Sequence, residues 1–274
     1  MGPCLRITAI FVLVIAAETT LLIAGSKDEE AKPSNGTVSP AAIAEIRPPA
    51  QNYRFPVHQT WVYKAEWHSF SAGTATLRTE SSGEFRHAVV NADTAGFVNM
   101  LYSVHDRFKT TIDPHTFCST AITKQTDEGS RKREVELRFD YARGKSVFDE
   151  RNPKNGNLKH VEHDIPKCVT DLMSGFLYLG SLPLAPGAVY RLPLNDGGPT
   201  NNIAAQVENR EQVKTPLGSI QAIRIALEPS AGPLKNKGRL WAWYSDDAQH
   251  MLVQIRVKVR WGTLTLRLAN VQRD

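Results

Sequence analysis

Residues 251–261 constrain what this chain can fold into more than any other stretch. Met251, Val253, Ile255, Val257, Val259 and Trp261 are apolar at every second position, and Gln254, Arg256, Lys258 and Arg260 fill the gaps. Successive side chains of a strand point to opposite faces of a sheet, so this alternation specifies a half-buried strand. Ser245, Asp246, Asp247 and Ala248 supply turn formers before it, and Trp241 and Tyr244 lie on the strand that precedes the turn. Gly262 marks a bend, after which Leu264, Leu266 and Leu268 resume the pattern. The expectation is a three-strand antiparallel meander with one apolar face.

The rest of the chain repeats this grammar. Trp61, Tyr63, Ala65 and Trp67 alternate with Val62, Lys64, Glu66 and His68, which predicts a strand with an aromatic inner face. Return strands are expected over 74–79 and 85–91, whereas 96–103 suits a short helix or a strand equally. A strand over 104–112 stops before Pro114, and Val135, Leu137 and Phe139 mark another that pairs with 145–150. The one clear helix begins near Thr170. Thr170 or Asp171 can cap it, Leu172, Phe176 and Leu179 fall at i, i+4 and i+7, and Pro183 ends it. Strands over 189–194, 203–214 and 220–227 lead into the closing meander. Some ten strands at hairpin spacing (~10) predict a mainly β, antiparallel barrel-like or curved-sheet body with one or two short helices. Residues 56–274 read as a single domain.

The N-terminus stands apart. Arg6 precedes an apolar run over residues 7–17, and Val14-Ile15-Ala16 offers small residues at the spacing of an export signal. Glu18 interrupts the run before residues 19–24 turn apolar again, so an uncleaved anchor is the rival. A spanning helix needs ~20 apolar residues and a carboxylate near its middle is costly, so residues 1–24 read as a signal peptide in preference to a membrane anchor. Residues 25–55, with Lys27-Asp28-Glu29-Glu30 and Pro33, Pro40, Pro48 and Pro49, lack apolar periodicity and read as a flexible Pro-rich linker. The expected location is the bacterial envelope, periplasmic or membrane-associated. An oxidising compartment favours a Cys118–Cys168 disulfide, the alternative being two buried thiols packed as small apolar groups.

Little here points to a reaction. A net charge of +5 and a pI near 9.1 permit affinity for anionic surfaces without demonstrating it. Arg256, Lys258 and Arg260 either form a solvated outer face that discourages edge association or offer a site for anionic lipid or polysaccharide. No nucleic-acid partner is expected. His160-x-x-His163-Asp164 has metal-ligand residue types but no further ligand pair, so neither a metal nor another cofactor is expected. Ser174 sits in Met-Ser-Gly rather than G-x-S-x-G, and neither a Walker A motif nor G-x-G-x-x-G is present. Asp246-Asp247 reads as turn chemistry. No residue is assigned a catalytic role.

Several motifs together resemble a bacterial family, the domain of unknown function 3108 family. They are Asp113-Pro114-His115-Thr116-Phe117, the run 131–140, Asp171 to Tyr178 on the helix, the run 215–222, and Trp243-Tyr244-Ser245-Asp246-Asp247. The resemblance covers roughly 55–268 and implies an exported, β-rich envelope domain with no established activity. Beside it, the residues suggest a non-enzymatic module that binds an apolar or amphipathic ligand through the aromatics Trp61, Tyr63, Trp67, Trp241 and Trp261, with a lipid or an envelope protein as partner. In the alternatives these aromatics simply fill a core, the protein hydrolyses envelope polymers with Asp171, Ser174 or a histidine, or it is a structural assembly module. The oligomeric state is left open.

Overall fold

The strand expected around Ile255 is one of fourteen in a single antiparallel sheet. A computed structural model describes residues 45–47, 49, 53–229, 238–259 and 262–273. The expected signal, most of the linker, Arg260 and Trp261 lie outside these residues. The first half comprises β1 (Gln59–Trp67), β2 (Phe70–Ser82), β3 (Phe85–Thr94), α1 (Gly96–Leu101), β4 (His105–Ile112), β5 (Ser119–Glu128), β6 (Arg131–Asp140), β7 (Lys145–Arg151) and β8 (Leu158–Asp164). The second comprises α2 (Leu172–Gly180), β9 (Val189–Leu194), β10 (Asn201–Thr215), β11 (Gly218–Pro229), β12 (Gly238–Ser245), β13 (Leu252–Val259) and β14 (Gly262–Arg273).

Each strand pairs with its sequence neighbour, with two exceptions. β14 returns to pair with β1, joining the two ends of the meander in mid-sheet, and β8 and β9 stay unpaired with one another. The sheet therefore curves as a barrel would but remains open between β8 and β9, where the crossing segment carries α2. Thr170 bridges to Leu194 on β9, and the Ser119 N–H of β5 donates to the Val169 carbonyl, so this segment ties both sides of the opening. The Cys118–Cys168 disulfide fastens the same place.

The concave face holds the main core. Trp61, Tyr63 and Ala65 of β1 meet Leu268 and Leu266 of β14 and the alanines of β2 and β3, with Phe176 and Leu179 of α2 packed inside the curve. A smaller cluster, Ile122, Val135, Leu137, Phe139, Phe148 and Val169, fills the β5–β7 side. There the turn after β9 inserts Gly197, at φ +115°, so close that a Cβ would stand 2.6 Å from the Phe148 ring. Gly262 is needed for a similar reason, because a Cβ would lie 2.0 Å from the Trp67 indole.

The closing meander forms as its alternation predicts, with one correction. Trp241 pairs across from Arg256, and Trp243 from Gln254, so both tryptophans face outward rather than into the curve. Leu240, Ala242 and Tyr244 are the inward residues of β12. The outward face is not left to solvent either. A register shift between Val207 and Arg210 accompanies the return of the β10–β11 hairpin over it: Glu211 accepts from the Trp243 Nε1–H at 2.6 Å, and the Lys214 carbonyl from Arg267 at 3.0 Å. Both faces of β12 are covered, which is why residues 240–244 are apolar without alternation.

Candidate ligand-binding cavity

At the end of the sheet where β1 begins and β14 finishes, α2 does not fill the curve. A cavity of about 740 Å³ remains between the C-terminal half of α2, β1, the β12–β13 turn and the segment over 53–57. Trp61, Tyr63, Leu77, Phe176, Tyr244 and Leu252 give it an apolar wall, with Gln59, Gln249, His250, Arg54 and Arg273 as polar groups of the lining. A void of about 40 Å³ lies beyond Tyr63, Leu77, Phe176 and Leu252, which line both spaces.

Local chemistry sets each part of this wall. Tyr63 donates its hydroxyl to the Leu252 carbonyl at 2.9 Å and Tyr244 to the Phe176 carbonyl at 2.8 Å, so two phenols pin β13 and α2 in place. Burial pushes both phenols well above the ordinary tyrosine range, and they remain neutral hydrogen-bonding groups. A register shift between Trp243 and Tyr244 brings Leu252, rather than Val253, into the cavity wall. His250 adopts a left-handed backbone, φ 43°, with its Nδ1 3.2 Å from the Gly180 carbonyl. Phe117, at φ 59° and fully buried, packs its ring within 6 Å of Tyr53, Phe55 and Tyr178. Bulky residues tolerate that conformation only when surrounding contacts enforce it, and such strain concentrates at working sites. Tyr53 and Phe55, expected in the linker, are thus part of the cavity's frame.

The N-terminal end of α2 is held by a buried polar node. Asp171 caps the helix, accepting from the Met173 and Ser174 N–H groups, and its other oxygen accepts from Thr110 at 2.5 Å and Ser119 at 2.6 Å. Ser174 completes a capping box, its Oγ accepting from the Asp171 N–H and lying 2.8 Å from the Ser119 Oγ. Ser174 is fully buried, and no described histidine bonds to it. Its hydroxyl serves the cap, and the node contains no nucleophile–base pair. His160 and His163, three residues apart on the edge strand β8, point to opposite faces; His160 meets Asp149 at 2.6 Å.

Two further carboxyl sites escaped the sequence reading. Asp106 of β4 and Glu128 of β5 are almost fully buried beside one another, and the Glu128 Oε1 has no partner among the described residues. Burial first, and the Asp106 charge second, push Glu128 up to about 8; burial pushes Asp106 up to about 6. Asp196, after β9, is raised to about 6 by burial, opposed by Lys124, whose Nζ donates to the Asp196 carbonyl at 3.0 Å. Asp106 stands two positions from the inward Phe108, so strand periodicity alone could have placed it inside.

Of the aromatics expected to bind a ligand, Trp61 and Tyr63 line the cavity. Trp67 packs over Gly262 at the other end of β1, Trp241 is on the outer face, and Trp261 is outside the described residues. Of the basic group, Arg256 lies over the Trp243 ring at 5.2 Å and Lys258 is exposed; Arg260 is again outside. Phe176, Tyr244 and Leu252 were not anticipated, because helix and strand periodicity mark them only as core.

Over residues 62–269 the sequence matches the family described as protein of unknown function (DUF3108). The chain belongs to this family. Among the curated proteins, none matches it. The fold of this DUF3108 protein is similar to a solved β-barrel-like protein of domain of unknown function DUF1849 from Brucella abortus. That likeness has a TM-score of 0.58 at 12% identity, covering 81% of this chain and 99% of the other. A candidate exported protein with a YmcC-like fold from Bacteroides fragilis is also similar, at 8% identity over 84% of this chain and 100% of its own, but its TM-score of 0.35 is too low to bear on the fold. The first likeness supports the barrel-like architecture and nothing about activity.

Proposed function

We propose that this DUF3108 protein is an exported envelope module, not an enzyme, that binds a small apolar or amphipathic molecule between α2 and the sheet. The observation that carries this reading is the 740 Å³ cavity with its aromatic and aliphatic wall and few polar groups. Small-molecule sites are typically ~300–1,000 Å³, mostly apolar, and furnished with a few oriented polar groups. The apolar run at residues 7–17 and the disulfide support an exported location.

The test uses the neutral dye N-phenyl-1-naphthylamine, whose fluorescence rises in apolar sites. Saturable binding is expected, and Met251→Trp, which fills the cavity from its rim, should weaken it about tenfold or more with far-UV circular dichroism unchanged. Absence of saturable binding to the wild type, or indifference to the Met251 substitution, would defeat the reading.

One observation favours contact with a partner protein as a second reading. Phe97, Met100 and Leu101 of α1 are 71%, 84% and 54% exposed, and fall at i, i+3 and i+4 on one short helix. Photocrosslinking from position 100 in intact envelopes should then yield one discrete adduct; no adduct would leave the cavity as the only binding feature.

A further inference from the structure

We infer that the ligand is a single-chain anionic amphiphile, its head group held by Arg54 and Arg273 and its chain running inward toward Phe176. This rests on the cavity reading above and adds the chemistry of the ligand to it. The charged side chains of the lining are Arg54 and Arg273, with no Asp or Glu beside them. Neither arginine pairs with a carboxylate among the described residues. Arg273 donates to the neutral amide oxygen of Gln249 at 3.1 Å. The two acids of the β12–β13 turn, which borders the cavity, are engaged elsewhere. Asp246 pairs with Arg210 at 2.8 Å, and Asp247 accepts from the Ser245 hydroxyl and the Gln249 N–H. An apolar site bordered by two arginines, with no carboxylate in its lining, favours an acid head on an apolar body over a cationic or uncharged one.

The interior defines the body of that ligand. The small void beyond the cavity is walled by Ala75, Val90, Ala92 and Leu264, among other apolar residues, and shares Phe176 with the main space. Tyr63, Leu77 and Leu252 are shared as well, so displacement of these side chains would lengthen the apolar path inward. An extended acyl chain suits this shape; each methylene buried along it should tighten binding about fourfold until the path is filled.

Competition against N-phenyl-1-naphthylamine tests the inference, with palmitate, hexadecanol and hexadecyltrimethylammonium as probes below their micellar concentrations. At low ionic strength and neutral pH, palmitate should compete about tenfold better than either of the others, and added salt should shrink the difference. Arg54→Gln combined with Arg273→Gln should abolish the preference, palmitate and hexadecanol then competing equally against the dye affinity measured for that same variant. Equal competition by palmitate and hexadecanol in the wild type, or a preference that survives the double substitution, would overturn the head-group assignment and leave the cavity reading intact. A wild-type protein that binds neither dye nor palmitate would overturn both.

Discussion

Replacing Asp171 by alanine is the sharpest test of how α2 is held against the sheet. In the folded protein this 2%-exposed carboxyl group accepts four hydrogen bonds, from Thr110, Ser119, Met173 N–H and Ser174 N–H. Truncation strands some of these donors and not others. Ser119 can turn its proton to the Ser174 Oγ at 2.8 Å, but the Thr110 hydroxyl, buried to 2% exposure, and the first amides of α2 have no evident substitute. A buried donor left without an acceptor costs ~1–3 kcal/mol, and loss of an N-cap costs ~0.5–2 kcal/mol. The expected destabilisation is about 4 kcal/mol, a large part of the ~5–15 kcal/mol that holds a typical domain. Asp171→Asn should cost less, about 1–2 kcal/mol, because its amide oxygen can still cap the helix and its NH₂ can donate to the two hydroxyl oxygens. Urea unfolding followed by circular dichroism measures both, with the midpoint falling and the slope unchanged. An Asp171→Ala protein within about 1 kcal/mol of wild type would refute the idea that this node, rather than the apolar face of α2, fixes the helix. Because α2 supplies Phe176, Leu177 and Gly180 to the cavity, dye binding should weaken in the alanine variant and persist in the asparagine one.

Three other outcomes are expected. Reducing the Cys118–Cys168 bond, 50 residues apart in sequence, should lower stability by ~4 kcal/mol on the chain-entropy account, read as a fall in the urea midpoint with reductant. Since Asp106 and Glu128 have folded pKa values raised to about 6 and about 8, the folded state holds protons that the unfolded chain releases near pH ~4; stability from this pair is therefore full below that pH and declines as pH rises toward about 8. Melting temperatures across this range should show the decline in wild type and a flatter profile in Glu128→Gln. Trp61 lines the cavity with an Nε1–H that has no acceptor among the described residues, so Trp61→Phe should cost under ~1 kcal/mol and keep dye binding, whereas Trp61→Ala should cost ~3–5 kcal/mol and lose it.

Much of this fold was readable where the two faces of a strand differ in polarity. β1, β6 and β13 are such strands, and the Asp171 cap with its i, i+4, i+7 apolar residues marked α2 equally well. β5 escaped notice because its inward positions include Ser119, Lys124 and Glu128, which leave no apolar alternation. β8 escaped because it is an edge strand with both faces polar. Trp241 was misplaced for the opposite reason: the β10–β11 hairpin covers the outer face of β12, so apolar residues occur on both sides. The cavity was half legible. Trp61 and Tyr63 lie on a strand whose inner face was plain, but Phe176 and Leu252 reach the same space from 113 and 189 residues beyond Tyr63, a juxtaposition that only β1–β14 pairing and the α2 crossing create.

The two sides of the curved sheet differ in what they contribute to binding. On the β4–β5 side the inward groups include, beside Phe108, Ile112 and Ile122, the polar Thr110, Ser119, Asp106, Lys124 and Glu128, each buried and several of them hydrogen-bonded to a specific partner. Directional bonds of this kind fix one arrangement, and those of Thr110 and Ser119 fix the start of α2. On the β1–β3 side the inward groups include Ala65, Ala75, Ala88 and Ala92, which cannot reach the helix as Leu or Phe would. Two of them, Ala75 and Ala92, border the small void beyond Phe176, whereas the β1–β2 wall of the main cavity is made of Trp61, Tyr63 and Leu77. Polar bonds anchor α2 at its far end, and the small side chains of Ala75 and Ala92 leave room beyond Phe176. Substituting Ala75 or Ala92 by leucine should therefore be tolerated by the fold yet close the void beyond Phe176, separating the need for stability from the need for room.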